Sequence, residues 1–336
     1  MRHMFCRAPM LAAALMLSGC ERPAQQPARD AAPAAVAAAK TPDQSDHMAI
    51  KPQFDEAGRF SEGLAPVRIG AKFGFIDTKG MVVIPPQFDF AGPFSEGLAA
   101  AGIGSKTGYV DKQGKFAFTP KFDVADLSPF SEGLAAARIG DFLNGRWGYI
   151  DKQGKIIIKP QFDSAGAFSE GLAVVGVDGK WGYIDKQGKF AIPPQFASAG
   201  SFSDGLAAIR VGDVLTGKTG FIDRQGKIVI KPQFDAAFRF SDGLSDVRAG
   251  DKYGFIDKQG RFVIAPRFDF ADTFSGGLAA IRAGDETSGK YGFIDTKGNV
   301  VITPQFDFAD VFSPSDGLAA VRIGDEKTGK YGYIAR

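Results

Sequence analysis

A chain of 336 residues with 40 basic and 38 acidic side chains carries a formal charge of only +2. That balance gives it little electrostatic reason to bind nucleic acid. Its histidines are His3 and His47 and its cysteines Cys6 and Cys20. Everything after residue 47 therefore lacks the groups for Ser-His-Asp or Cys-His catalysis, for disulfides, and for Cys- or His-based metal sites.

Residues 1–19 read as an export signal. Arg2 and Arg7 precede an apolar run from Met10 to Leu17, far short of the ~20 residues that span a bilayer. The run ends in Leu17-Ser18-Gly19-Cys20, which resembles the lipobox of bacterial lipoproteins. That resemblance implies cleavage before Cys20 and a diacylglycerol on its thiol, which would anchor the chain to a membrane. The alternative is a plain signal with an incidental cysteine. Glu21, rather than Asp, follows the cysteine, and the resemblance then favours the outer over the inner membrane. Losing Arg2 and Arg7 with the signal brings the charge to 38 minus 38, or zero.

Residues 20–49 form an Ala/Pro-rich tether with almost no large apolar side chain. Such a segment buries too little surface to offset its ordering entropy.

From residue 50 to residue 336 one short unit recurs eight times. Aligned on glycine the copies read KFGFID, KTGYVD, RWGYID, KWGYID, KTGFID, KYGFID, KYGFID and KYGYIA. The glycines are Gly74, Gly108, Gly148, Gly182, Gly220, Gly254, Gly292 and Gly332. Their spacing of 34 to 40 residues is that of a solenoid or a propeller. The 43 glycines and 31 phenylalanines follow from fixed positions in the unit. Residues 240–274 predict three strands, Leu244 to Ala249, Tyr253 to Asp257, and Arg261 to Phe268 with a break at Pro266. No helical period is visible.

Each turn has a chemical reason. In I-D-x-x-G the aspartate accepts backbone N–H bonds and the glycine takes the left-handed conformation. This predicts turn caps at Asp77, Asp111, Asp151, Asp185, Asp223, Asp257 and Asp295, with calcium as the less favoured reading. Prolines such as Pro86 and Pro266 cannot donate to a ladder and mark a strand end or outer edge. Phe268 and Phe274 are expected as plugs between neighbouring units, with Leu278 beside them. The acid of F-S-[ED]-G-L, such as Glu62, is expected to be a turn residue.

These elements resemble the WG repeats of many bacterial proteins. The tryptophan survives only in Trp147-Gly148 and Trp181-Gly182; Phe, Tyr or Thr replaces it elsewhere. The resemblance implies an all-β repeat domain with no established activity, and transfers no catalytic residue. The chain enters on a third strand (Ile50 to Phe54) and leaves on a second (Lys330 to Ile334). Pairing the two would close a ring, so the expected fold is an eight-bladed β-propeller with mainly three-stranded blades. An open β-solenoid or stack of hairpins is the alternative.

Differences between copies locate candidate binding residues. Four inter-strand loops are long, and they carry Asp141, Phe142, Leu143, Asp213, Leu215, Asp285, Glu286, Asp325 and Glu326. Equivalent loops share one face, which repeat proteins often use for binding. A second candidate is the arginine of the first strand, at Arg68, Arg138, Arg210, Arg248, Arg282 and Arg322, as an incomplete girdle for carboxylates or sulfated sugars. Pairing with acids of neighbouring units is its structural alternative. No unit stands out with extra acids. The expectation is a non-catalytic binding or scaffold lipoprotein of the cell envelope, without cofactor or metal. Its partner would be a protein or an envelope glycan. A glycan-acting enzyme or a structural spacer are the alternatives.

Overall fold

The computed structural model describes residues 47–104, 106–118, 124–140 and 144–336, so Cys20, the signal and nearly all of the tether lie outside the described residues. The described regular structure is entirely β and forms eight antiparallel four-stranded sheets. Sheet one contains Glu56–Ala57, Leu64–Ile69, Lys72–Asp77 and Val82–Phe88, hydrogen-bonded in chain order. Sheets two to seven repeat this order. Sheet eight is completed by the chain's first strand, Met48–Phe54, which pairs with its last, Lys330–Ala335. The ring is closed, as the phase of the two chain ends predicts. The opening strand begins at Met48, two residues before the expected boundary.

The expectation of three-stranded blades is corrected. A fourth strand leads each sheet, mostly as a two-residue piece such as Glu56–Ala57 or Ala236–Ala237. A piece this short shows no alternation, and its pairing exists only because the preceding strand hands the chain to the next sheet. In sheet six the last strand, Phe262–Phe268, is continuous through Pro266 rather than broken there. It has one neighbour in its sheet and shifts register around the proline. An edge strand with a bulge is where a residue without an N–H belongs.

The bulge explains the repeated glycine. A Cβ on Gly220 would stand 2.4 Å from the Ile230 carbonyl oxygen and 2.6 Å from the Pro232 nitrogen, both backbone atoms. Gly74, Gly148, Gly182, Gly254, Gly292 and Gly332 meet the same backbone within 2.4 to 2.6 Å. The residue is glycine because the bulged strand packs directly on it, and not because of its φ.

Apolar clusters sit between sheets. One joins Leu244, Phe255 and Ile264 of sheet six to Ala271, Phe274 and Ile281 of sheet seven, with Phe268 at its margin. Leu278 instead joins the next cluster, around Phe306 and Phe312. Each F-S-E-G-L aromatic packs on a third-strand ring, as Phe274 does on Phe255 at 4.7 Å and Phe60 on Tyr333 at 4.7 Å.

Polar links run around the ring in the same register. The Ser95, Ser131, Ser169, Ser203 and Ser275 hydroxyls each donate to the phenylalanine carbonyl of the next sheet's motif, at 2.6 to 2.7 Å. Tyr149, Tyr183 and Tyr333 donate to Gly166, Gly200 and Gly58, all at 2.8 Å. The Tyr333 bond and the Arg59–Asp310 ion pair at 2.8 Å cross the seam between sheets eight and one. The closing junction thus keeps the tyrosine link and adds an ion pair, while its Ser313 hydroxyl turns to Asp316 at 2.9 Å.

Candidate functional site

In a four-stranded meander the first and third connections lie at one end, and the second connection lies at the other with the exit to the next sheet. The ring thus has a turn face, carrying S-E-G-L and I-D-x-x-G, and a loop face, carrying the variable loops and the P-x-F-D crossings.

On the turn face every aspartate of I-D-x-x-G caps its hairpin. Asp77 accepts from the Lys79 and Met81 amides at 3.0 and 2.9 Å, and Asp257 does the same from Gln259 and Arg261. The S-E-G-L hairpin holds Glu62 at φ 55° and Gly63 at φ 84°, the two left-handed residues of a type I′ turn. Its acid also reaches the next sheet. Glu62 accepts from Gly97 and meets Lys112 at 3.3 Å, and Glu96 does so with Gly133 and Lys152 at 3.0 Å. These acids are turn residues, as expected, that also tie neighbouring sheets together.

On the axis a cavity of 360 Å³ is bordered by Arg59, Ser131, Ser169, Ser203, Arg239 and Ser275 among others. The same motif position of different sheets surrounds it, which only the ring's axis allows. One buried acid departs from the repeat. Asp246 is 2% exposed where every other unit has Ala, Val or Pro, and it accepts from the Thr273 hydroxyl at 3.1 Å. The expectation that no unit carries an extra acid is corrected. Comparing this single column across units would have exposed it.

On the loop face the crossing aspartate joins two sheets. Asp89 accepts from the Lys72 ammonium at 2.6 Å and from the Gly104 amide of the next sheet at 2.7 Å. Asp55 (Lys330, Gly70), Asp235 (Lys218, Gly250), Asp269 (Lys252, Gly284) and Asp307 (Lys290, Gly324) repeat the arrangement. At Asp163 the partners are Arg146 and the Asp178 amide.

The lysine hydrogen bond, then the glycine amide, holds the carboxyls of Asp55, Asp89, Asp235 and Asp269 below the usual range. At Asp307 burial opposes the shift, and Lys290 and Gly324 outweigh it. Groups whose folded pKa is depressed add stability above the unfolded carboxylate range and lose it as pH falls through the lowered values. The melting temperature should therefore hold between about pH 7 and pH 5 and drop between about pH 4 and pH 3. Thermal scans in that series check this, and 1 M salt should flatten the drop because the pairs are half-exposed.

The predicted binding residues divide. Asp141, Phe142 and Leu143 lie outside the described residues. Asp213, Asp285 and Asp325 turn into their own loops. Asp213 accepts from the Leu215 and Thr216 amides at 2.8 and 2.7 Å, and bonds to the Thr216 hydroxyl push its carboxyl down to about 2. Asp285 is held by Thr287 and Ser288, and Asp325 by Lys327 and Thr328. These three shape the loops, while Glu286, Glu326 and the apolar Val214 and Leu215 face solvent.

Most of the arginines are engaged locally. Arg68 pairs with Glu56 at 2.8 Å within its own sheet. Arg138 donates to Gly145, and Arg210 donates to the Asp235 and Leu215 carbonyls. Arg282 and Arg322 lie over Tyr291 and Tyr331, both at 5.8 Å. Arg248 is exposed near Asp235. Five of the six arginines are thus bonded to or stacked on nearby groups, and Arg248 is exposed.

The profile of the WG containing repeat matches residues 43–73, 73–106, 108–141, 147–181, 181–214, 220–253, 253–286 and 291–331. No curated protein matches the chain in sequence. Among solved structures it is similar to a eukaryotic initiation factor at 14% identity and a TM-score of 0.49, covering 81% of this chain and 78% of that one. The tricorn protease matches at 12% and 0.47 over 80% of this chain, which spans only 37% of the protease. A Kluyveromyces lactis Hsv2 variant with loop 6CD replaced by a Gly-Ser linker matches at 11% and 0.46, covering 85% and 98%.

Proposed function

The chain belongs to the WG containing repeat family, and from that premise we propose that it is a non-catalytic binding scaffold of the bacterial cell envelope. Lipid on Cys20 would hold it at a membrane, favouring the outer one, and the tether would let the ring stand off. The ring would present its loop face to a protein or an envelope glycan.

The observation that carries this reading is the contrast between the two faces. On the turn face the acids are committed to capping their own hairpins or to tying neighbouring sheets together, in near-identical copies. On the loop face the connections differ in length and composition from sheet to sheet and leave Leu215, Glu286 and Glu326 in solvent. A rigid frame with one variable face suits recognition.

The test is a cross-linking pull-down from the native envelope. In the variant, loops 212–217, 284–289 and 324–329 are shortened to the Gly250-Asp251 turn of sheet six. Partner recovery should fall at least roughly tenfold with an unchanged melting temperature, as expected when central contacts are removed. Unchanged recovery would overturn the loop-face reading. Release of product from envelope glycans by the purified chain would overturn the non-catalytic one. A Cys20→Ser chain should leave the membrane fraction.

A further inference from the structure

Six described junctions hold a carboxylate between a basic side chain and the backbone amide of the next sheet, and the junction between sheets four and five does not. The crossing residue there is Ala197, where the other seven units have aspartate. Both halves of the cradle remain. Lys180 stands 17 residues before Ala197, as Lys72 stands before Asp89, and Gly212 follows 15 residues after, as Gly104 does. Lys180 is exposed and has no ion pair among the described residues.

The loop that presents the amide is formed as in its occupied siblings. Gly212 has φ +95°, against +99° for both Gly284 and Gly324, whose amides donate to Asp269 and Asp307. A Cβ on any of the three would meet the α-carbon of the loop's closing glycine at 2.8 to 3.0 Å. The loop conformation therefore persists without the aspartate. The cradle also selects the charged form. At Asp55, Asp235 and Asp269 the lysine, the amide and a nearby arginine (Arg68, Arg248 or Arg282) all favour the ionised carboxyl. Arg210 holds that arginine position in sheet five.

We propose that this vacant cradle, formed by Lys180 and the Gly212 amide, binds a carboxylate supplied from outside the chain, on a peptide segment with an apolar neighbour. The two donors replace hydrogen bonds that water would otherwise make, in a geometry the protein already uses for its own carboxylates. The apolar preference comes from the same loop, where Val214 is 59% and Leu215 70% exposed. The proposal deepens the loop-face reading by naming the group recognised, but its test needs no natural partner.

The experiment is an NMR titration of the 15N-glycine-labelled chain with acetate, N-acetyl-leucine and glucuronate. The Gly212 amide should shift and saturate with acetate, and N-acetyl-leucine should bind more tightly than glucuronate. Ala197→Asp should place the chain's own carboxylate in the cradle, move the Gly212 resonance towards those of Gly250 and Gly284, and weaken acetate binding at least roughly tenfold. Lys180→Met, which leaves the fold's own links untouched, should weaken it to a similar degree. A Gly212 amide that ignores acetate, or that responds equally in both variants, would overturn the site. Tighter binding of glucuronate would overturn the peptide assignment in favour of an acidic glycan. Loss of acetate binding with intact partner recovery in the pull-down would sink this proposal alone.

Discussion

Gly220→Ala should destabilise the ring by about 3 kcal/mol or more, the upper range for overpacking against atoms that cannot yield. The added methyl would stand 2.4 Å from the Ile230 oxygen and 2.8 Å from the Lys231 carbonyl carbon, both in the bulge beside Pro232. Relief would require the fourth strand of sheet five to lift off the third, separating the Thr219–Phe234 and Phe221–Ile230 pairs. Urea unfolding of the two chains measures the effect. Gly63→Ala supplies the contrast, since no atom lies within 4 Å of its added methyl. That variant should cost only the left-handed backbone penalty, about 1 kcal/mol. Equal losses in the two variants would mean that the bulge yields to the added methyl, and that its close approach does not fix the repeated glycine.

A chain beginning at Asp55, without the strand Met48–Phe54, should lose about 5 kcal/mol, from two large side chains withdrawn from the core. Ile50 and Phe54 are 4% and 3% exposed and pack with Phe60 and Tyr333 across the seam between sheets eight and one. Such a loss is comparable to the whole stability of many domains. It would also leave Lys330–Ala335 as an open apolar edge, which invites pairing with another chain. Urea unfolding with light scattering after gel filtration reads both consequences: an earlier transition and a species larger than a monomer. A truncated chain that stayed monomeric with an unchanged midpoint would show that closure contributes little, and that the alternative of an open array describes the energetics better.

Much of this was legible along the chain. The repeat, its all-β character and the hairpin caps at Asp77 through Asp295 are local, because each rests on turn chemistry within five residues. Closure was also readable, because Ile50 to Phe54 and Lys330 to Ile334 are the two halves of one unit. The leading strand Glu56–Ala57 and its counterparts were not. Two residues carry no period, and their pairing depends on where the preceding bulge sends the chain. The loop acids were legible as exposed and variable, but not as caps. Whether Asp285 faces solvent or its own Thr287 and Ser288 amides is decided by the fold of a six-residue loop.

The sequence by itself determined the unit, its number of copies and its turns, since these follow from local backbone preferences repeated at a steady interval. Only the tertiary structure decided what the acids are for. Glu62 meets Gly97 and Lys112, and Asp89 joins Lys72 to Gly104, because the packing of neighbouring sheets places groups 15 to 50 residues apart within hydrogen-bond reach. The same packing turns Ala197, an unremarked small residue in the sequence, into the one described crossing where a carboxylate's partners stand without their carboxylate. A contact set by the meeting of two sheets leaves no mark on either segment read alone.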